Sequence, residues 1–88
     1  MELYKEVSAN GHESAKYNLA IYYYSIGDIE STLKLYNELA NKNHRRAQYN
    51  LAFLYLEKYQ DIEKAKFWFS ESYKNGYADA GLALKQFF

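Results

Sequence analysis

The sequence predicts an all-α protein, a short α/α solenoid of antiparallel helix hairpins with about two and a half repeats and five to six helices. Three observations predict it. The tetrapeptide Tyr17-Asn18-Leu19-Ala20 returns 32 residues later as Tyr49-Asn50-Leu51-Ala52, and the match extends to His12 and His44, Ala15 and Ala47, and Tyr23 and Tyr55. A unit of that length is one helix pair that cannot bury its apolar face alone, so successive units must stack. Apolar residues inside the unit recur at helical spacing, as in Ala15, Leu19, Tyr22, Tyr23 and Ile26, or Ile62, Ala65, Phe69 and Tyr73. No stretch alternates apolar and polar residues as a strand would, and proline is absent.

The elements follow from the punctuation between these patterns. Helices are expected over roughly 2–9, 13–25, 28–41, 45–58, 61–74 and 77–87. Asn10-Gly11, Asn41-Lys42-Asn43 and Asn75-Gly76 fall in register, each suited to the left-handed residue that closes a helix. Asp28 and Asp61 are also in register and suit the N-cap of the second helix of a pair. Asp28-Ile29-Glu30 returns as Asp61-Ile62-Glu63, and Leu35-Tyr36 matches Leu3-Tyr4 upstream and Trp68-Phe69 downstream. The units therefore run over about 11–42 and 43–75, with half units at 1–10 and 76–88, in a single domain spanning 1–88. Ala20 and Ala52 are placed where paired helices approach closely, and Ala15, Ala47 and Ala65 where hairpins meet. Acid-before-base pairs such as Glu30 with Lys34, Glu38 with Lys42, Glu63 with Lys66 and Glu71 with Lys74 mark a solvated outer face.

Composition bounds the function. A globule of 88 residues buries only about 60–65% of the surface of its unfolded chain. Eleven tyrosines, five phenylalanines and one tryptophan offset that with large contact areas. Eleven basic and eleven acidic residues cancel, which predicts no phosphate-driven binding and so no nucleic-acid partner. Cysteine is absent, which removes disulfide and thiolate chemistry. The opening Met1-Glu2-Leu3-Tyr4-Lys5-Glu6 has no signal-peptide core and no stretch is apolar enough for a membrane helix, so a cytoplasmic protein with no membrane partner is expected.

Catalysis is not expected. His12 and His44 are the only imidazoles and occupy the same loop position in successive units, with no third ligand recurring beside them. Ser8, Ser14, Ser25, Ser31, Ser70 and Ser72 lack a base at motif spacing, and no glycine-rich phosphate loop occurs. The expectation is a non-enzyme with no catalytic residues, metal or cofactor. His44-Arg45-Arg46 is the only dense basic cluster, and it opens a helix where cations meet the unfavourable end of the dipole.

The pattern Ala47-x-Tyr49-Asn50-Leu51-Ala52-x-x-Tyr55, followed by Lys64-Ala65, Trp68-Phe69, Gly76 and Ala80, resembles the Sel-one-like repeat family, a branch of the tetratricopeptide-like α/α solenoids. The resemblance covers nearly the whole chain. Ala52 stands for the family's Gly, and the loop between paired helices is short and lacks the family's Gly-x-Gly-Val. Lys85, where Ala20 and Ala52 stand, implies a last helix packed on one side only.

The resemblance implies that the first helix of each unit lines the concave side. That places Ser14, Tyr17, Ile21 and Tyr24 in one row and Arg46, Tyr49, Phe53 and Leu56 in the next. Tyr17, Ile21, Tyr24, Arg46, Tyr49, Phe53 and Leu56 are the expected partner-binding residues, since aromatic anchors beside an Arg are the material of binding hot spots. The alternative for Tyr17, Ile21, Tyr49 and Phe53 is packing beneath the next hairpin. Two functional classes follow. One is a non-catalytic module that holds a segment of a protein partner in the concave groove, an inhibitor or immunity-type protein being one form of it. The other is a self-assembling structural repeat protein, dimeric or stacked end to end through Leu3, Tyr4 and Val7 at one end and Leu84, Phe87 and Phe88 at the other, or part of a longer scaffold.

Overall fold

The computed structural model describes residues 11–88, all of whose regular structure is helical. The elements are α1 (Gly11–Ser25), α2 (Ile29–Ala40), α3 (Arg45–Leu54) continued by a π-helical turn (Tyr55–Tyr59), α4 (Ile62–Lys74) and α5 (Ala78–Phe87). Each helix packs against the helices next to it in the chain. The helix expected over 2–9, the half unit at 1–10 and the residues Leu3, Tyr4 and Val7 lie outside the described residues.

The punctuation read from sequence sets the boundaries. The Asp28 carboxylate accepts from the Ser31 backbone N–H at 3.2 Å, and that of Asp61 from the Lys64 N–H at 3.1 Å. Each cap satisfies one of the orphan donors at a helix start. At the other end, α2 and α4 close alike. Asn43 (φ 63°) and Gly76 (φ 96°) take the left-handed conformation. The next residue then reaches back, His44 N–H to Leu39 C=O and Tyr77 N–H to Ser72 C=O, at 3.1 and 3.0 Å. This is the Schellman closure that Gly and Asn tolerate best. Gly11, expected to close a preceding helix, is instead the first residue of α1.

The two inter-helix turns differ by one residue, and the fold absorbs it inside a helix. After α1, the Asp28 N–H bonds to the Tyr23 C=O at 2.9 Å; after α3, the Asp61 N–H bonds to the Tyr55 C=O at the same distance. Five positions separate the first pair and six the second. The extra residue widens Tyr55–Tyr59 into a π turn, with Gln60 (φ 53°) closing it in the left-handed region. From sequence both connections are expected to have the same short length, at 26–27 and 59–60, and the π turn is not foreseen.

Small residues set the helix spacing. Ala20 and Thr32 are fully buried between α1 and α2, as are Ala52 and Ala65 between α3 and α4. The Thr32 hydroxyl donates to the Asp28 C=O at 2.9 Å and approaches the Ala20 C=O at 3.3 Å, so its burial leaves no unpaired polar atom. Gln48 ties three helices together, with its amide nitrogen on the Ala40 C=O and its amide oxygen accepting from Asn75. Ser72 donates to the Arg45 C=O at 2.8 Å. Phe69, Leu39 and Leu51 are the largest fully buried apolar side chains. At the far end Gly81 lets the Tyr73 ring lie close to α5, since a Cβ there would come within 2.6 Å of it and the exposed ring would have to move.

Two sequence expectations are corrected. Ala15, placed between hairpins, is exposed. Among the described residues only Glu71 and Lys74 form one of the four expected pairs, at 3.3 Å, while Glu38 turns to Lys16 on α1 at 3.2 Å. Lys64 reaches Asp61 at 4.0 Å. These are solvated contacts and contribute little.

Candidate functional site

α1 and α3 meet α2 along one side of the molecule and leave a groove of about 330 Å³. Ile21 and Tyr24 from α1, Tyr36 from α2, and Asn50, Phe53 and Leu54 from α3 line it, with Glu57 of the π turn at its edge. Helical spacing puts Ile21 and Tyr24 one turn apart on α1, and Asn50, Phe53, Leu54 and Glu57 on one stripe continuing from α3. Ile21 and Tyr24 are each 43% exposed, Phe53 is half-buried and Tyr36 is buried.

The floor is polar and ordered. The Asn50 side-chain amide donates to the Tyr17 hydroxyl at 2.9 Å and to the Tyr36 hydroxyl at 3.3 Å. Its Oδ1 accepts no hydrogen bond among the described residues. Burial raises the Tyr36 pKa, offset in part by the Asn50 bond and reinforced by Tyr17 and Tyr24, so this ring stays a neutral phenol. Tyr17 is half-buried, tilted against Tyr36 at 6.2 Å and stacked on His44 at 5.2 Å.

His44 is a helix cap. Its Nδ1 accepts from the Ala47 N–H at 3.2 Å, which requires a neutral ring with the proton elsewhere. Burial lowers its pKa; Glu13 and a backbone hydrogen bond oppose that, and Arg46 and Arg45 add to it. Among the described residues no three His, Asp or Glu side chains gather as a metal site would require.

The structure divides the seven expected residues. Ile21, Tyr24 and Phe53 share the groove, and Tyr17 adjoins it through Asn50. Tyr49 turns toward the following helices, at 4.9 Å from Phe53, 5.7 Å from Phe69 and 4.9 Å from Tyr77. Burial, then Asp79 and Tyr77, raise its pKa. Arg46 is exposed at the start of α3 and Leu56 is half-buried; neither lines the groove. Tyr36, Asn50, Leu54 and Glu57 were missed. Asn50 was visible as the one polar residue of the repeated tetrapeptide, whereas Tyr36 belongs to a second helix and Glu57 lies within the π turn.

Lys58 brings its ammonium to 5.8 Å from the Tyr24 ring centroid, at the mouth of the groove. No described helix is long and apolar enough to cross a membrane. The chain matches no family model, no curated protein and no solved structure.

Proposed function

We propose that this chain is a non-catalytic protein-interaction module of the Sel-like, tetratricopeptide-like solenoid type, and that it holds a segment of a partner protein in the groove between α1, α2 and α3. The observation that carries the reading is the juxtaposition of exposed apolar side chains, Ile21 and Tyr24, with an ordered polar floor at Asn50 and Tyr36. An apolar groove with few fixed polar atoms is the usual form of a peptide-binding site. Helix caps and tight turns hold the walls in place, so little ordering cost falls on binding. The repeated tetrapeptide and the matched helix closures at Asn43 and Gly76 support the solenoid reading. A small inhibitor or immunity-type protein of the cytoplasm is one form such a module takes.

Selection of displayed peptides on the purified chain tests this, with counter-selection on Ile21→Asp. Ile21 is exposed, so that variant keeps the fold and alters only the groove. Peptides that bind the wild type and lose binding to Ile21→Asp support the reading; peptides indifferent to the change refute it.

A second reading, self-assembly, rests on the other end of the molecule, where Leu82 is 64% and Tyr73 57% exposed and the terminal Phe87 and Phe88 are also exposed. Light scattering across a range of concentrations separates the two. A single-chain mass at every concentration excludes assembly, and a mass that rises with concentration and collapses on Phe87→Ser/Phe88→Ser favours it.

A further inference from the structure

Resting on the groove reading above, we infer that the anchor the groove takes from its partner is a cationic side chain, a lysine or an arginine, with its stem between Ile21 and Phe53 and its charge at Glu57. The groove is asymmetric in what its polar atoms offer. Glu57 lines it with a carboxylate that pairs with no cation among the described residues. Asn50 spends both amide hydrogens on Tyr17 and Tyr36, which leaves Oδ1 as an acceptor. The walls add the rings of Tyr24, Tyr36 and Phe53, whose π electrons attract a cation, and the two phenol oxygens can accept from it as well as donate elsewhere. An anionic anchor would meet Glu57; a neutral aliphatic one would leave Glu57 and Asn50 Oδ1 unpartnered wherever it displaced their water.

The chain already supplies one cation to this surface. Lys58 stands over the Tyr24 ring at the mouth of the groove, as a tethered weak occupant. It sits on an exposed side chain and is free to leave. A partner's lysine or arginine takes its place at Tyr24 and adds the contacts to Glu57 and Asn50 that Lys58 does not make.

The test compares three small probes of similar size, n-butylammonium, n-butanol and sodium butyrate, titrated at low salt into the chain while backbone and Asn side-chain amide signals are followed by NMR. Butylammonium is expected to shift the Asn50, Tyr24 and Phe53 signals at the lowest concentration. Glu57→Gln should weaken it by about two- to fivefold, the range of an exposed charge pair, and leave butanol unchanged. Lys58→Ala, by removing the internal competitor, should strengthen it. Both residues are exposed, so neither substitution threatens the fold. Butanol binding as tightly as butylammonium, or butyrate binding more tightly, overturns the cationic anchor while leaving the groove reading intact. Displayed peptides that require Ile21 yet carry no lysine or arginine do the same. If no probe shifts the groove signals and no peptide depends on Ile21, both readings fall.

Discussion

The same tetrapeptide lies in α1 and in α3, and the two copies are buried differently. Leu51 is fully buried, whereas Leu19 is 42% exposed; Ala47 is fully buried, whereas Ala15 is exposed; Leu54 is buried, whereas Tyr22 is 56% exposed. Only Ala20 and Ala52, against the helix that follows each, are fully buried in both copies. The difference lies in neighbours. α3 is packed by α2 on one side and α4 on the other, whereas among the described helices α1 packs on α2. Identical sequence thus gives one face in common, the face turned to the partner helix, and leaves the other to position in the chain.

That comparison is most strongly tested by paired truncations. Leu51→Ala should lower stability by about 2–5 kcal/mol, the cost of an apolar cavity in a packed core. Leu19→Ala should stay within about 0.5 kcal/mol, as exposed positions do. Urea midpoints decide it, and equal losses would break the comparison.

Enlargement is the next test. Ala47→Leu and Ala52→Leu should each cost about 1–3 kcal/mol through overpacking, while Ala15→Leu should be near neutral. An unchanged midpoint for Ala52→Leu would remove Ala52 from the α3–α4 contact.

The polar members of the tetrapeptide sharpen it further. Asn50→Ala removes the bonds to Tyr17 and Tyr36 and should cost about 1–2 kcal/mol. Asn18, its counterpart, is exposed, and Asn18→Ala should be neutral or slightly stabilising through helix propensity. Equal losses from the two would show that the groove floor does not depend on Asn50.

The smallest effect concerns His44. His44→Ala should cost about 1 kcal/mol by removing the cap, and His44→Asn should restore most of it. Because the folded pKa lies below the ordinary 6.5, the unfolded chain binds the proton more readily. The stability His44 contributes is therefore whole above about pH 6.5 and declines as the pH falls toward the folded value. Urea midpoints against pH should show that loss in the wild type and a shallower one in His44→Asn; identical slopes would deny the cap.

These pairs also mark what was legible in the sequence. Asp28, Asp61, Asn43 and Gly76 announced helix ends because capping and left-handed closure depend on a few residue types with local chemistry. The π turn at Tyr55–Tyr59 was not legible, since a one-residue insertion can lengthen a loop or widen a helix and only packing around Tyr55 decides. Gln60 gave no sign of its left-handed backbone. In the groove, Ile21, Tyr24 and Phe53 were expected from the family resemblance, but Asn50 looked like Asn18, and only the arrival of Tyr17 and Tyr36 at its amide distinguishes them. Arg46 and Leu56 were placed on the same rows by that resemblance and fall outside the groove, whose lining on this side runs through Asn50, Phe53, Leu54 and Glu57.

Leu19 and Ile21 offer the most direct test of the binding reading. They are almost equally exposed, at 42% and 43%, yet lie about 200° apart around α1, one on its open face and one in the groove. The measurement is a methyl NMR titration of the chain with a selected peptide. The account predicts that the Ile21 methyl signals shift and those of Leu19 stay in place. A shift at Leu19 with Ile21 unmoved would put the partner on the open face of α1 and contradict the groove as the binding site.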